Sequence, residues 1–152
     1  MSDYFFDSLM NLVKRENIEN VIESYIGLLS QLTEAPLLSK ELFLHNLEEI
    51  KKIGDIYVYY HQIENQIVFI GSGTIIFEPK IIRNGKYVGH IEDIVVDSSY
   101  RRMGIANKII EKLVDLSREK CYKIILDCTE DISEFYKKTG FQKRGIQMVQ
   151  YF

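Results

Sequence analysis

A chain of 152 residues with 46% hydrophobic and 27% charged side chains can bury one ordinary core, so a single globular domain without metal or disulfide support is expected. The formal net charge of −3 gives no general attraction to nucleic acid or to an anionic membrane, and any anion site must be local. No apolar run approaches membrane-spanning length, Asp3 and Asp7 stand where a signal peptide wants lysine before an apolar block, and Cys121 and Cys128 lack C-x-x-C spacing; a cytoplasmic protein with reduced thiols and no metal is the expectation.

In chain order, Leu12–Arg15 reads as a short strand. Asn17 can cap a helix whose apolar face is Val21, Ile22, Tyr25, Ile26 and Leu29, and Pro36 breaks the chain after it. Ser39 can cap a second helix with Leu42, Phe43, Leu47 and Ile50 inward, ending before Gly54. Ile56–Tyr60 and Ile67–Phe77 are rich in β-branched and aromatic residues and are separated by Glu64-Asn65, while Asn84-Gly85 predicts a hairpin turn into a strand that starts near Lys86 and runs to Val96. A helix follows over 104–120, with Ile105, Ile109, Leu113 and Leu116 at helical spacing. Strand Lys123–Cys128, short helix Ile132–Thr139 and strand Gln142–Tyr151 complete the pattern. There is no internal repeat or linker, and the economical architecture is α/β, one mixed sheet with helices on both faces.

Two local features carry chemistry. Ile91 and Ile94 are three residues apart where a regular strand places same-face residues two or four apart, so a β-bulge at Glu92-Asp93 is expected. A bulge bends the strand and frees a backbone N–H that could polarise a carbonyl; burial of both faces, with parity meaning little, is the competing account. The second feature is Arg101-Arg102-Met103-Gly104-Ile105-Ala106, between a strand and a helix. Free N–H groups of the first helical turn, Gly104, the small Ala106 and the arginine pair suit a pyrophosphate, although many such loops carry a glycine and no ligand. The spacing fits neither a nucleotide P-loop nor a dinucleotide fingerprint.

The loop resembles the Arg/Gln-x-x-Gly-x-Gly/Ala pattern of the GCN5-related N-acetyltransferases (GNAT). Gly89-His90-Ile91-Glu92-Asp93-Ile94, Cys121-Tyr122-Lys123-Ile124-Ile125-Leu126-Asp127-Cys128 and Phe135-Tyr136-Lys137-Lys138-Thr139-Gly140-Phe141 are similar to the glucosamine 6-phosphate N-acetyltransferase branch, closely over roughly residues 87 to 148 and more loosely back to Leu32-Thr33. The resemblance implies a GNAT fold with a bulged, splayed central strand, and acetyl-CoA held by Ile94, Val95 and Val96, by the loop from Arg101 to Asn107, and by Tyr136. It implies an amino-sugar phosphate as acceptor, bound by Thr33, Glu92, Asp93, Tyr122, Lys123 and Asp127. It also implies a homodimer with shared active sites, in which Lys123 serves the neighbouring subunit's phosphate. Two positions depart from the branch. Its C-terminal arginine falls on Tyr151, for which Arg144 is a possible substitute, and its asparagine ahead of the Phe-Tyr pair falls on Ile132.

Transfer to an amine needs a neutral amine, a polarised thioester and a protonated leaving thiolate. Glu92 and Asp93 can orient sugar hydroxyls and take the ammonium proton, directly or through water, unless they form a charged pair on a solvated edge. Tyr136 can protonate sulfur, and would otherwise be one more packing tyrosine. Asp127, near a strand's C-terminal end, points at the crevice where α/β folds bind ligands, with a turn or cap role as the alternative. Neither cysteine has a histidine neighbour in sequence, so direct transfer in a ternary complex is expected. Another small amine or a peptide amine is the rival acceptor. A silent acyl-CoA-binding or dimeric interaction module is the rival class, though coenzyme binding alone needs only the loop and not Glu92, Asp93, Asp127 and Tyr136.

Overall fold

Glu64 and Asn65 adopt φ of 48° and 67°, the left-handed pair that a two-residue hairpin loop requires, and they join β2 (Gly54–Ile63) to β3 (Gln66–Glu78). In the computed structural model, which describes residues 4–152 and leaves Asp3 outside the described residues, these strands belong to one sheet ordered β1-β2-β3-β4-β5. β1 (Tyr4–Ser8) pairs antiparallel with β2, β3 antiparallel with β4 (Tyr87–Val96), and β5 (Cys121–Ile125) lies parallel to β4. The sheet is mixed and α/β, as expected.

Helices cover both faces. α1 (Leu9–Arg15), α2 (Ile18–Leu29) and α3 (Lys40–Ile53) bury Leu9, Leu12, Val21, Tyr25, Phe43 and Leu47 against Val58, Tyr60, Phe69 and Val95. α4 (Ile105–Ser117) packs on the opposite face through Ile105, Ile109 and Leu113 against Ile70, Ile75 and Ile91. Each fully buried aliphatic side chain contributes about 1.5–3 kcal/mol. The two expected N-caps form: Asn17 Oδ1 accepts from the Asn20 amide at 3.1 Å, and Ser39 Oγ from the Leu42 amide at 3.2 Å. A short α5 (Ser133–Lys138) follows β5.

Several boundaries differ from expectation. Leu12–Arg15 is the end of α1, because Leu9 and Leu12 are a helical pair that a four-residue window does not reveal; the strand lies earlier, at Tyr4–Ser8. Leu42 and Leu116 sit at the rims of their helices and are partly exposed. The connection from β3 to β4 spans residues 79–86 and is no tight hairpin; Arg83, Asn84 and Gly85 form a left-handed turn with φ of 55°, 59° and 73°. β5 stops at Ile125, leaving Leu126, Asp127 and Cys128 outside the ladder. The strand expected at Gln142–Tyr151 does not form. Its apolar residues are exposed, Ile146 88% and Met148 87%, since the segment pairs with no strand among the described residues.

Candidate active site

β4 is bulged where the sequence slips phase. Thr74 pairs with Glu92 and Ser72 with Val95, so Gly73 alone opposes Asp93 and Ile94, and Asp93 takes a φ of 52°. The lack of a side chain at Gly73 permits this. A Cβ there would stand 2.6 Å from Ile94 Cδ1 and 2.8 Å from Ile109 Cγ2, so glycine lets α4 seat closely over the bulge. β4 also parts from β5, whose pairing ends at His90 opposite Ile125. Backbone groups of Ile91–Val96 therefore line a wedge on that edge, open to an extended ligand.

The carboxylates converge at the bulge. Ile91 faces α4, so Glu92 faces the α2–α3 side. Partial burial pushes the Glu92 carboxyl above its ordinary value, and the charges of Asp93 and Asp127 push it further, against an opposing effect of His90. Asp127 lies just past β5 and accepts a 2.8 Å hydrogen bond from Gln147 Nε2 of the C-terminal segment. Beneath the bulge, Tyr25 on α2 is 3.0 Å from Ser72 Oγ, and Ser72 donates to the Tyr57 carbonyl at 3.2 Å, which makes Tyr25 the donor. Burial, and secondarily the charge of Asp93, raise the Tyr25 phenol far above its ordinary value against the Ser72 hydrogen bond, so it remains protonated.

The loop after β4 has the geometry an anion site needs. Gly104 is the N-cap of α4 with φ 77° and ψ 12°, and a Cβ on it would meet nothing within 4 Å. The first amides of α4 thus face open space with the positive end of the helix behind them. Arg102 is also left-handed, at φ 65°, and Arg101 Nε donates to the Val96 carbonyl at 3.2 Å, which folds one arginine back over the end of β4. Three hydrogen bonds not anticipated from sequence hold this loop. Gln31 Nε2 donates to Asp97 at 2.8 Å, the Ser98 amide donates to Gln31 Oε1 at 2.9 Å, and His61 Nε2 is 3.0 Å from the Tyr100 hydroxyl. Thr33 is exposed two residues beyond Gln31, so the α2–α3 connection that carries it is tied to the end of β4.

Tyr136 lies on α5, edge-on to Phe135 and Phe141 with ring centroids 5.1 and 6.1 Å away. Burial raises its phenol above the ordinary value, with Cys128 adding to the shift, so it is a protonated donor at neutral pH. Ile132 is the N-cap of α5 and offers no side-chain acceptor there. Tyr122 and Lys123 are not part of this cluster. Lys123 pairs with Val88, four residues and about 13 Å of strand before Glu92. Its ammonium lies 5.7 Å from the Tyr122 ring centroid, and the Arg83 guanidinium lies 5.4 Å from the same ring. Tyr151 is 91% exposed.

A groove of about 340 Å³ borders Glu92 on the α2–α3 side, walled by Ile53, Ile76, Phe77 and Pro79 with Glu78 and His90 beside them. The signal for it was in the chain, since His90 and Glu92 are two apart on a strand and share a face. Among the described residues no group of three or more His, Cys, Asp or Glu is placed to hold a metal ion, and no helix is long and apolar enough to cross a membrane. Both cysteines are free.

The sequence pattern of the acetyltransferase (GNAT) family matches residues 23–141. The glucosamine 6-phosphate N-acetyltransferase of Trypanosoma brucei brucei is 41% identical over 143 residues, 92% of this chain and 95% of that protein. Glucosamine 6-phosphate N-acetyltransferase 1 of Dictyostelium discoideum is 40% identical over 137 residues, 89% of this chain and 87% of its own. The crystal structure of glucosamine-6-phosphate N-acetyltransferase from Arabidopsis thaliana superposes with a TM-score of 0.83 at 32% identity, covering 99% of both chains. With the bulged strand, the splayed β4–β5 pair and the left-handed glycine ahead of α4, these matches show that the chain belongs to the GNAT acetyltransferase family, among the glucosamine 6-phosphate N-acetyltransferases.

Proposed function

We propose that the protein transfers the acetyl group of acetyl-CoA to the amine of D-glucosamine 6-phosphate, giving the N-acetyl product used in UDP-N-acetylglucosamine synthesis. The observation that carries this reading is the shared name of relatives 40–41% identical over about nine-tenths of the chain. Acetyl-CoA supplies the activated acyl group. The residues fit it: the amides at the start of α4, beside Arg101 and Arg102, receive the pyrophosphate, and the unpaired edge of Ile94, Val95 and Val96 receives the extended arm and donates to the thioester oxygen as charge develops there. Glu92, whose proton affinity is raised by partial burial and by the charges of Asp93 and Asp127, takes the proton of the attacking amine, directly or through water, with Asp93 and Asp127 orienting the sugar. Tyr136 donates to the departing sulfur. With no acyl-carrying residue required, transfer is direct within a ternary complex.

We further read the enzyme as a cytoplasmic homodimer. Lys123 pairs with Val88, about 13 Å of strand before Glu92, which suits a phosphate reached from a neighbouring subunit, and the exposed apolar segment Gln142–Phe152 supports a second copy as its partner. The test is a thiol-release assay with acetyl-CoA against glucosamine 6-phosphate, glucosamine, spermidine and a peptide amine. Activity confined to the phosphorylated sugar supports the assignment; equal use of unphosphorylated glucosamine overturns the acceptor and leaves the acetyltransferase class standing.

A further inference from the structure

The groove beside Glu92 contains a histidine that neither the proposed proton path nor the coenzyme contacts employ. His90 precedes Glu92 by two residues and shares its face of β4. The Nε2 atom of His90 is buried and makes no hydrogen bond among the described residues. Glu78 Oε1 lies 3.5 Å from it, beyond good hydrogen-bond distance, and is held on its other side by Lys80 Nζ at 2.7 Å. A buried polar atom left this way is costly unless a ligand completes it.

We propose that His90 and Glu78 together bind one ring hydroxyl of the acceptor sugar. The inference rests on the reading of an amino-sugar phosphate as acceptor and deepens it. A hydroxyl oxygen placed about 2.9 Å from a nitrogen and about 2.8 Å from a carboxylate oxygen closes a triangle whose third side is the observed 3.5 Å gap. The hydroxyl then accepts from His90 Nε2–H and donates to Glu78 Oε1, so both groups are satisfied by one ligand atom. Lys80 keeps Glu78 ionised and turned toward the histidine. Ile76, opposite His90 on β3, lies beside the pair as an apolar wall, and Glu92 at the end of the groove fixes where the amine stands relative to that hydroxyl. His90 is in this account a positioning residue that selects a hydroxylated amine over a plain alkylamine.

The experiment compares wild type with His90→Leu and His90→Gln, using glucosamine 6-phosphate and its 3-deoxy and 4-deoxy analogues as acceptors and acetyl-CoA as donor. In the wild type, one deoxy analogue should lose tenfold or more in kcat/KM. His90→Leu should raise KM for the parent sugar by about ten- to a hundredfold, leave KM for acetyl-CoA unchanged, and erase the difference between parent and that analogue. His90→Gln, which keeps a donor near the Nε2 position, should recover part of the preference. A wild type indifferent to both deoxy sugars, or a leucine variant that retains the discrimination, overturns the role of His90 while the acceptor assignment stands. A wild type that does not acetylate glucosamine 6-phosphate removes the acceptor reading itself.

Discussion

Replacing Gly104 by valine separates the two roles of the loop. In the folded chain the residue holds φ 77° and ψ 12°, a region that costs an L-residue about 1–2 kcal/mol and a β-branched one near the top of that range. No clash adds to the strain, because a Cβ there meets nothing within 4 Å. A loss of ~2 kcal/mol corresponds to a fall in Tm of roughly 4–8 °C for a domain of this size. Binding should suffer more. The side chain would stand where a pyrophosphate meets the first amides of α4, and losing one or two charge-assisted hydrogen bonds amounts to ~3 kcal/mol, about a hundredfold in Kd. The assay is thermal unfolding with and without coenzyme A at a fixed concentration near 100 times the wild-type Kd. Wild type should gain about 2.7 kcal/mol from the ligand, and a variant weakened a hundredfold only about 0.4 kcal/mol. A variant that melts lower yet keeps the full ligand-induced gain would show that the loop is strained without being the anion site, and the reasoning would fail.

Tyr136→Phe should lower kcat by ~10²-fold with acetyl-CoA affinity nearly unchanged, because the ring packing against Phe135 and Phe141 survives while the proton donor is lost; steady-state kinetics with calorimetry decide it. Glu92→Gln should abolish most activity and shift stability in a pH-dependent way. The folded-state pKa of Glu92 is raised, so its ionisation opposes folding as pH climbs past the ordinary glutamate value of 4.5; the glutamine variant should gain stability relative to wild type above that range and none below it, and a parallel pair of stability curves would refute the assignment. Lys123→Ala should raise KM for glucosamine 6-phosphate about ten- to a hundredfold while sparing acetyl-CoA and leaving unphosphorylated glucosamine indifferent; an unchanged KM would remove Lys123 from the phosphate.

Much of the architecture could be read from local pattern alone, for local physical reasons. Capping by Asn17 and Ser39, the left-handed turn at Glu64-Asn65, the helix after Gly104 and the bulge at Glu92-Asp93 each depend on residues within a few positions of one another, and their periodicity is written along the chain. The candidate site was equally legible where it is linear, in the loop and the paired carboxylates. Contacts between distant segments were not. Gln31 reaches Asp97, His61 reaches Tyr100 and Tyr25 reaches Ser72 across 66, 39 and 47 residues, and no period or cap signals such a meeting. Whether 142–151 forms a strand also lay outside its own sequence, since alternation supplies the side chains of a strand while a ladder needs an edge to pair with. Likewise the early end of β5 follows from the divergence of β4 beyond His90, so its length is set by the neighbouring strand. Sequence decided which segments could be helix or strand; tertiary structure decided which of them found partners, and with that where Glu92, Asp127 and His90 stand relative to one another.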